Sequence, residues 1–125
     1  MKTVVNTSKA PAPIGPYNQA IKAGNTLYIS GQIPMSTASG ELVSGDISKE
    51  TKQVMENIGF ILEEAGYNFR DIVKTTIFLA DMNDFSEVNG VYGEYFDDQA
   101  PARETVAVKT LPKNVRVEIS AIAFK

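Results

Sequence analysis

The sequence predicts one α+β domain over residues 1–125, a mixed sheet of about six strands with two helices packed on one face. Three observations carry this. Short β-branched and alternating runs alternate with two helical stretches in the order β-β-β-α-β-α-β-β. One of those stretches, residues 46–66, has a clean 3.6-residue apolar period. A chain of 125 residues, 43% hydrophobic and 22% charged, is long enough for one real core.

The elements follow in order. "TVVN" is a short opening strand. Pro11, Pro13, Gly15 and Pro16 then crowd into six residues, which forbids helix or regular strand. "AIKAG" and "NTLYISGQIP" read as two strands with a turn at Gly24 and Asn25, and a polar loop runs on to Asp46. In the first helix Val54, Ile58, Ile61, Leu62 and Ala65 share a face; Asp46 or Ser48 can cap its start and Gly66 suits its end. "DIVKTTIFLA" is a β-branched strand. "DMNDFSEVNGVYGEYF" is a second helix with Phe85, Val88, Tyr92 and Phe96 on one side. Residues 100–125 read as a closing hairpin with its turn at 111–114 and Arg103 opening its first strand.

Several strands carry apolar residues on both sides: Val73, Ile77 and Leu79 against Phe78, and Leu27 and Ile29 against Tyr28. Two helices cover only one face of such a sheet, and apolar sheets seldom leave the other in water. A homo-oligomer that buries the second face is the expectation.

Composition removes whole classes of chemistry. No cysteine means no disulfide, thiol nucleophile or thiolate metal site. No histidine removes Ser-His-Asp catalysis, His–His ribonuclease chemistry and most zinc hydrolase sites. Proton transfer falls to carboxylates, Lys, Tyr, Ser, Thr or water. The net charge of −3, with scattered Lys and Arg, argues against a nucleic-acid partner. No segment approaches membrane-spanning length and none has a signal-peptide core, so a soluble cytoplasmic protein is the default expectation.

The closing strands carry the candidate site. On a hairpin register, Thr105 and Ala107 fall near Ser120 and Glu118, with Arg103 a diagonal neighbour or one step beyond. A one-residue slip breaks that placement. Two readings stand: a solvated face with a weak ion pair, or a pocket in which a guanidinium forks a substrate carboxylate beside a carboxylate that holds water. The second suits a small 2-oxo or 2-imino acid.

The blocks "IGPYNQAI", "LYISGQIP", "VKTTIFLADMNDFSEVN", "PARETVAV" and "LPKNVRVEISAIA" resemble the RidA/YjgF family of enamine/imine deaminases, in the same order through essentially the whole chain. The resemblance implies a chorismate-mutase-like fold, a homotrimer with three inter-subunit clefts, and hydrolysis of 2-aminoacrylate and related imines to 2-oxo acids and ammonia without metal or cofactor. It implies that Arg103 holds the substrate carboxylate with the Thr105 N–H, that Glu118 positions the attacking water, and that Tyr17, Ser30 and Asn89 contact substrate. Gly31 reads as a backbone residue. Ala107 stands where many members carry an acid. Alternatives within the family are a non-catalytic binder of 2-oxo acids and a ribonuclease.

Overall fold

The computed structural model describes residues 1–125. Its longest helix, α1 (Ile47–Ala65), sits where the apolar period puts it. Asp46 is the cap: its carboxylate accepts from the Ser48 and Lys49 N–H groups. Gly66 ends the helix in the left-handed region at φ 80°, which glycine adopts without a Cβ penalty. Val54, Ile58, Ile61 and Leu62 are fully buried, with Met55 and Asn57 beside them.

The main sheet is mixed and has six strands: β1 (Lys2–Val5), β2 (Ala20–Ala23), β3 (Thr26–Gln32), β6 (Ile72–Leu79), β7 (Ala102–Ala107) and β8 (Val117–Phe124). Their spatial order is β1-β2-β3-β8-β6-β7. All neighbours are antiparallel except β6 and β7, which are parallel. The loop before α1 holds a small hairpin that its polar composition hides, β4 (Met35–Ser36) with β5 (Glu41–Leu42), turned by Gly40 at φ 73°.

Two expectations are corrected. First, the closing strands form no hairpin: β6 lies between β7 and β8. A helix, α2 (Phe85–Gly93), links β6 to β7, as a parallel pair requires. The chain from Val108 to Arg116 then passes the end of β6 to reach its far side. Strand β6, eight residues long and rich in β-branched side chains, takes the central position that a hairpin would have denied it. Second, α2 is shorter than its apolar spacing implies. A 3₁₀ turn (Met82–Asp84) precedes it, and it stops at Gly93 with Phe96 only partly buried.

The core lies between the helices and one face of the sheet, with Leu27, Ile77, Leu79, Val117 and Ile119 under α1 and Val88 of α2. The other face is open. Its cross-strand row Val4, Ile21, Tyr28 and Ile122 is apolar, and Val4 and Tyr28 are half exposed. On β6 that row meets Lys74; Phe78 and Val106 lie on the same face farther along, Phe78 opposite Glu118. Val73 does not share the Ile77 face: the register shifts between Ile72 and Lys74 and Val73 is left exposed. No helix is long and apolar enough to cross a membrane.

Candidate active site

Glu118 and Arg103 sit on opposite faces of this sheet. Glu118 pairs with Phe78 and looks out over the open face. Arg103 pairs with Thr75, a buried residue of the helix-covered face. The hairpin register therefore fails in its main consequence: one subunit gathers no pocket containing both groups, and the two form no ion pair.

The carboxylate end is built by a bulge. Ile29 faces Ala121 and Gln32 faces Ile119, so Ser30 and Gly31 together oppose the single residue Ser120. The bulge folds the strand against Glu118. A Cβ built on Gly31 would stand 2.8 Å from the Glu118 Cδ and collide with its Oε2. Gly31 is thus required by close approach and not by its backbone angles. Ser30 is fixed twice, its hydroxyl donating to Asn18 O at 2.7 Å and its N–H to Gln19 O at 2.9 Å.

Tyr17, Ser30 and Glu118 share one depression with Ile14, Ile33 and Lys113. The Tyr17 loop is tied to β1 by Asn6, whose side chain donates to Asn18 Oδ1 and accepts from the Gln19 N–H. Burial alone pushes the Glu118 carboxyl up from its ordinary value, with no cation or donor acting on it. Lys113 and Asn114 both adopt the left-handed region, at φ 56° and 55°. Non-glycine residues seldom do so, and such strain gathers at functional sites.

The guanidinium end is at the sheet edge. Arg103 Nη1 donates to Asn89 Oδ1 at 2.7 Å. Its guanidinium lies 5.0 Å from the Tyr92 ring centroid and 5.5 Å from that of Phe85, both on α2. Tyr92 is itself held by Thr75 through a 2.7 Å hydroxyl contact. No carboxylate pairs with Arg103, so its remaining donors are open to an anion. The edge strand adds a backbone donor. Val108 N–H donates to Leu79 O. Alternation along β7 then turns the N–H groups of Arg103, Thr105 and Ala107 toward the free edge. The Thr105 hydroxyl is buried with no partner.

The six residues singled out in the sequence thus fall into two groups, Tyr17, Ser30 and Glu118 on one side and Asn89, Arg103 and Thr105 on the other. Sequence reasoning missed Lys113, because a "PKN" turn does not announce a left-handed lysine. It also read Phe85 and Tyr92 as plain core, since their spacing is that of any apolar helix face.

A family model described as endoribonuclease L-PSP matches residues 7–125. A RutC family protein of Pyrococcus horikoshii is 58% identical, over 100% of this chain and 99% of its own length. A Bos taurus protein named 2-iminobutanoate/2-iminopropanoate deaminase is 53% identical over 100% of this chain and 91% of its own. A crystal structure from the conserved Rid protein family of Yersinia pestis superimposes with a TM-score of 0.96 at 48% identity, covering all of both chains. With that coverage, the chain belongs to the endoribonuclease L-PSP family, the RidA family that its sequence blocks resemble.

Proposed function

We propose that the protein is an imine deaminase that works as a homotrimer of chorismate-mutase-like subunits, each cleft formed by Arg103, Thr105 and Asn89 of one subunit and Tyr17, Ser30 and Glu118 of the next. The observation that carries this is the separation of two unpaired, opposite charges. Arg103 is preorganised by neutral and aromatic partners and by no acid. Glu118 is half-buried with no cation. Their strands are two apart, about 10 Å at normal strand spacing, and their side chains point to opposite faces. A small 2-imino acid cannot touch both within one subunit. A second copy, laid with its β7 edge over the depression, supplies the missing half. Two different surfaces then meet, a head-to-tail contact that closes into a ring, and the apolar open face is buried inside it.

The chemistry follows from the groups. The substrate carboxylate forks onto the Arg103 guanidinium and accepts from the Thr105 N–H. Asn89 holds the guanidinium plane. Glu118, on the neighbouring subunit, accepts a proton from a water poised at C2. The water oxygen bonds to C2 as the C=N π pair moves to nitrogen, giving a carbinolamine. The carboxyl returns that proton to the nitrogen, completing the neutral carbinolamine. It then takes the carbinolamine hydroxyl proton and delivers it to nitrogen as the C=O bond forms and the C–N bond breaks, and 2-oxo acid and ammonia leave. Burial raises that carboxyl above its ordinary value and so makes it a stronger base toward the water. An imine is already electrophilic, so positioning is the main contribution, worth several kcal/mol of barrier. The family description names an endoribonuclease, yet this chain has no histidine and a net charge of −3, both poor for RNA cleavage.

The test is decay of 2-aminoacrylate generated in situ by a serine dehydratase. Acceleration by the wild type and none by Arg103→Ala is expected. No acceleration by a folded, assembled wild type contradicts the reading and favours a carboxylate-binding protein.

A further inference from the structure

Beside the Glu118 depression lies a second recess of about 140 Å³, bounded by Pro11, Ala12, Ile14, Tyr17, Ile33 and Met35. The two share Ile14, Tyr17, Gly31, Ile33 and Lys113, so they are immediate neighbours. Both are lined mainly by apolar surface; the depression carries Glu118 and Ser30, and the recess carries Gln19 and Gln32.

Its walls are built. Gln19 is almost fully buried. Its Oε1 accepts from the Thr7 N–H, and its Nε2 donates to the carbonyls of Thr7, Ala10 and Pro11 at 2.8–3.1 Å. That amide holds the proline-rich wall. Asn57, fully buried in α1, donates to Ile33 O at 3.1 Å and Met35 O at 3.0 Å and holds the opposite wall. Two buried amides with satisfied hydrogen bonds fix both walls of the recess, as preformed pockets require.

We infer that this recess receives the substrate's side chain, and that Ala12 and Met35 set which 2-imino acids are taken. This rests on the imine deaminase reading. With C2 beside Glu118, the side chain can follow the apolar wall past Tyr17 and Ile33 into the recess. A cavity of roughly 150 Å³ accommodates benzene, so a recess of this size fits an aliphatic side chain such as that of leucine or methionine. The carboxylate and imine are recognised elsewhere, so the recess discriminates by size alone.

The experiment compares kcat/KM for imines released by an L-amino-acid oxidase from leucine and from alanine. Ala12 is exposed at the recess mouth and lies outside the depression, so Ala12→Phe fills the recess without entering the folded core. The leucine-to-alanine ratio is expected to fall about tenfold or more, with the alanine-derived imine within about twofold of wild type. Met35→Ala, which enlarges the recess, is expected to raise the relative rate on the phenylalanine-derived imine. Unmoved ratios in both folded variants overturn the assignment. So does loss of assembly in Ala12→Phe, which would place a neighbouring copy's chain in the recess. A wild type that turns over only the alanine-derived imine overturns the recess and leaves the site reading intact. A wild type that turns over neither overturns both.

Discussion

Arg103 and Glu118 stand on opposite faces of one sheet with strand β6 between theirs. Neither has a charged partner within the subunit. A folded chain that leaves a guanidinium open at a strand edge and a half-buried carboxylate without a cation has two half-sites. On the proposed reading a second copy joins them, and the four predictions below test it.

Glu118→Gln is expected to lower turnover by about two orders of magnitude, in the range usual for losing a general base. It also carries a stability signature. Burial raises the folded carboxyl above its unfolded value. The folded state therefore binds more proton in the interval between the two values, and wild-type stability falls as pH rises through that interval. The glutamine variant lacks this loss. Denaturant melts from pH 4 upward (about the ordinary carboxylate value) should show the variant gaining on wild type as pH rises; parallel curves would mean that Glu118 is solvated.

Gly31→Ala places a methyl against the Glu118 carboxylate. A cost of about 1–3 kcal/mol is expected, as for other overpacked sites, with turnover falling as Glu118 is displaced. In the Gly31→Ala background, Glu118→Ala should recover most of that stability. Additive costs in the double-mutant cycle would show that the two residues do not meet.

Asn89→Ala removes the hydrogen bond that orients Arg103. KM is expected to rise about tenfold while kcat changes little, since the guanidinium and its two aromatic neighbours remain. A fall in kcat with KM unchanged would give Asn89 a part in the chemistry.

Tyr28→Glu puts a charge in the middle of the apolar open face, where Tyr28 is half exposed in the subunit. The subunit should keep its helical circular dichroism and lose both assembly and turnover, because burying an unpaired carboxylate costs several kcal/mol. Sedimentation showing an intact oligomer would place the interface elsewhere.

Helix α1 is legible in the sequence because Asp46, the Val54–Ile58–Ile61–Leu62 face and Gly66 all agree on one structure. Strands β3, β6 and β8 are legible from their alternation. The pairing of β7 with β6 is not, because strand alternation fixes which residues share a face and says nothing of which strand is the neighbour. That gap hides the opposite orientations of Arg103 and Glu118. Gly31 reads as backbone from sequence, and only the bulge that presses it against Glu118 shows its steric role. The candidate residues themselves are legible through family resemblance; the placement of Arg103 and Glu118 on opposite faces is a property of topology.

The most direct test mixes two inactive variants. Arg103→Ala and Glu118→Gln subunits are denatured together and refolded as an equimolar mixture, then assayed for imine hydrolysis. If each cleft takes Arg103 from one subunit and Glu118 from the next, three of every four random trimers contain one intact cleft, and activity should return to about a quarter of wild type. Activity no higher than that of the separate variants, in properly assembled mixtures, would contradict a cleft shared between subunits.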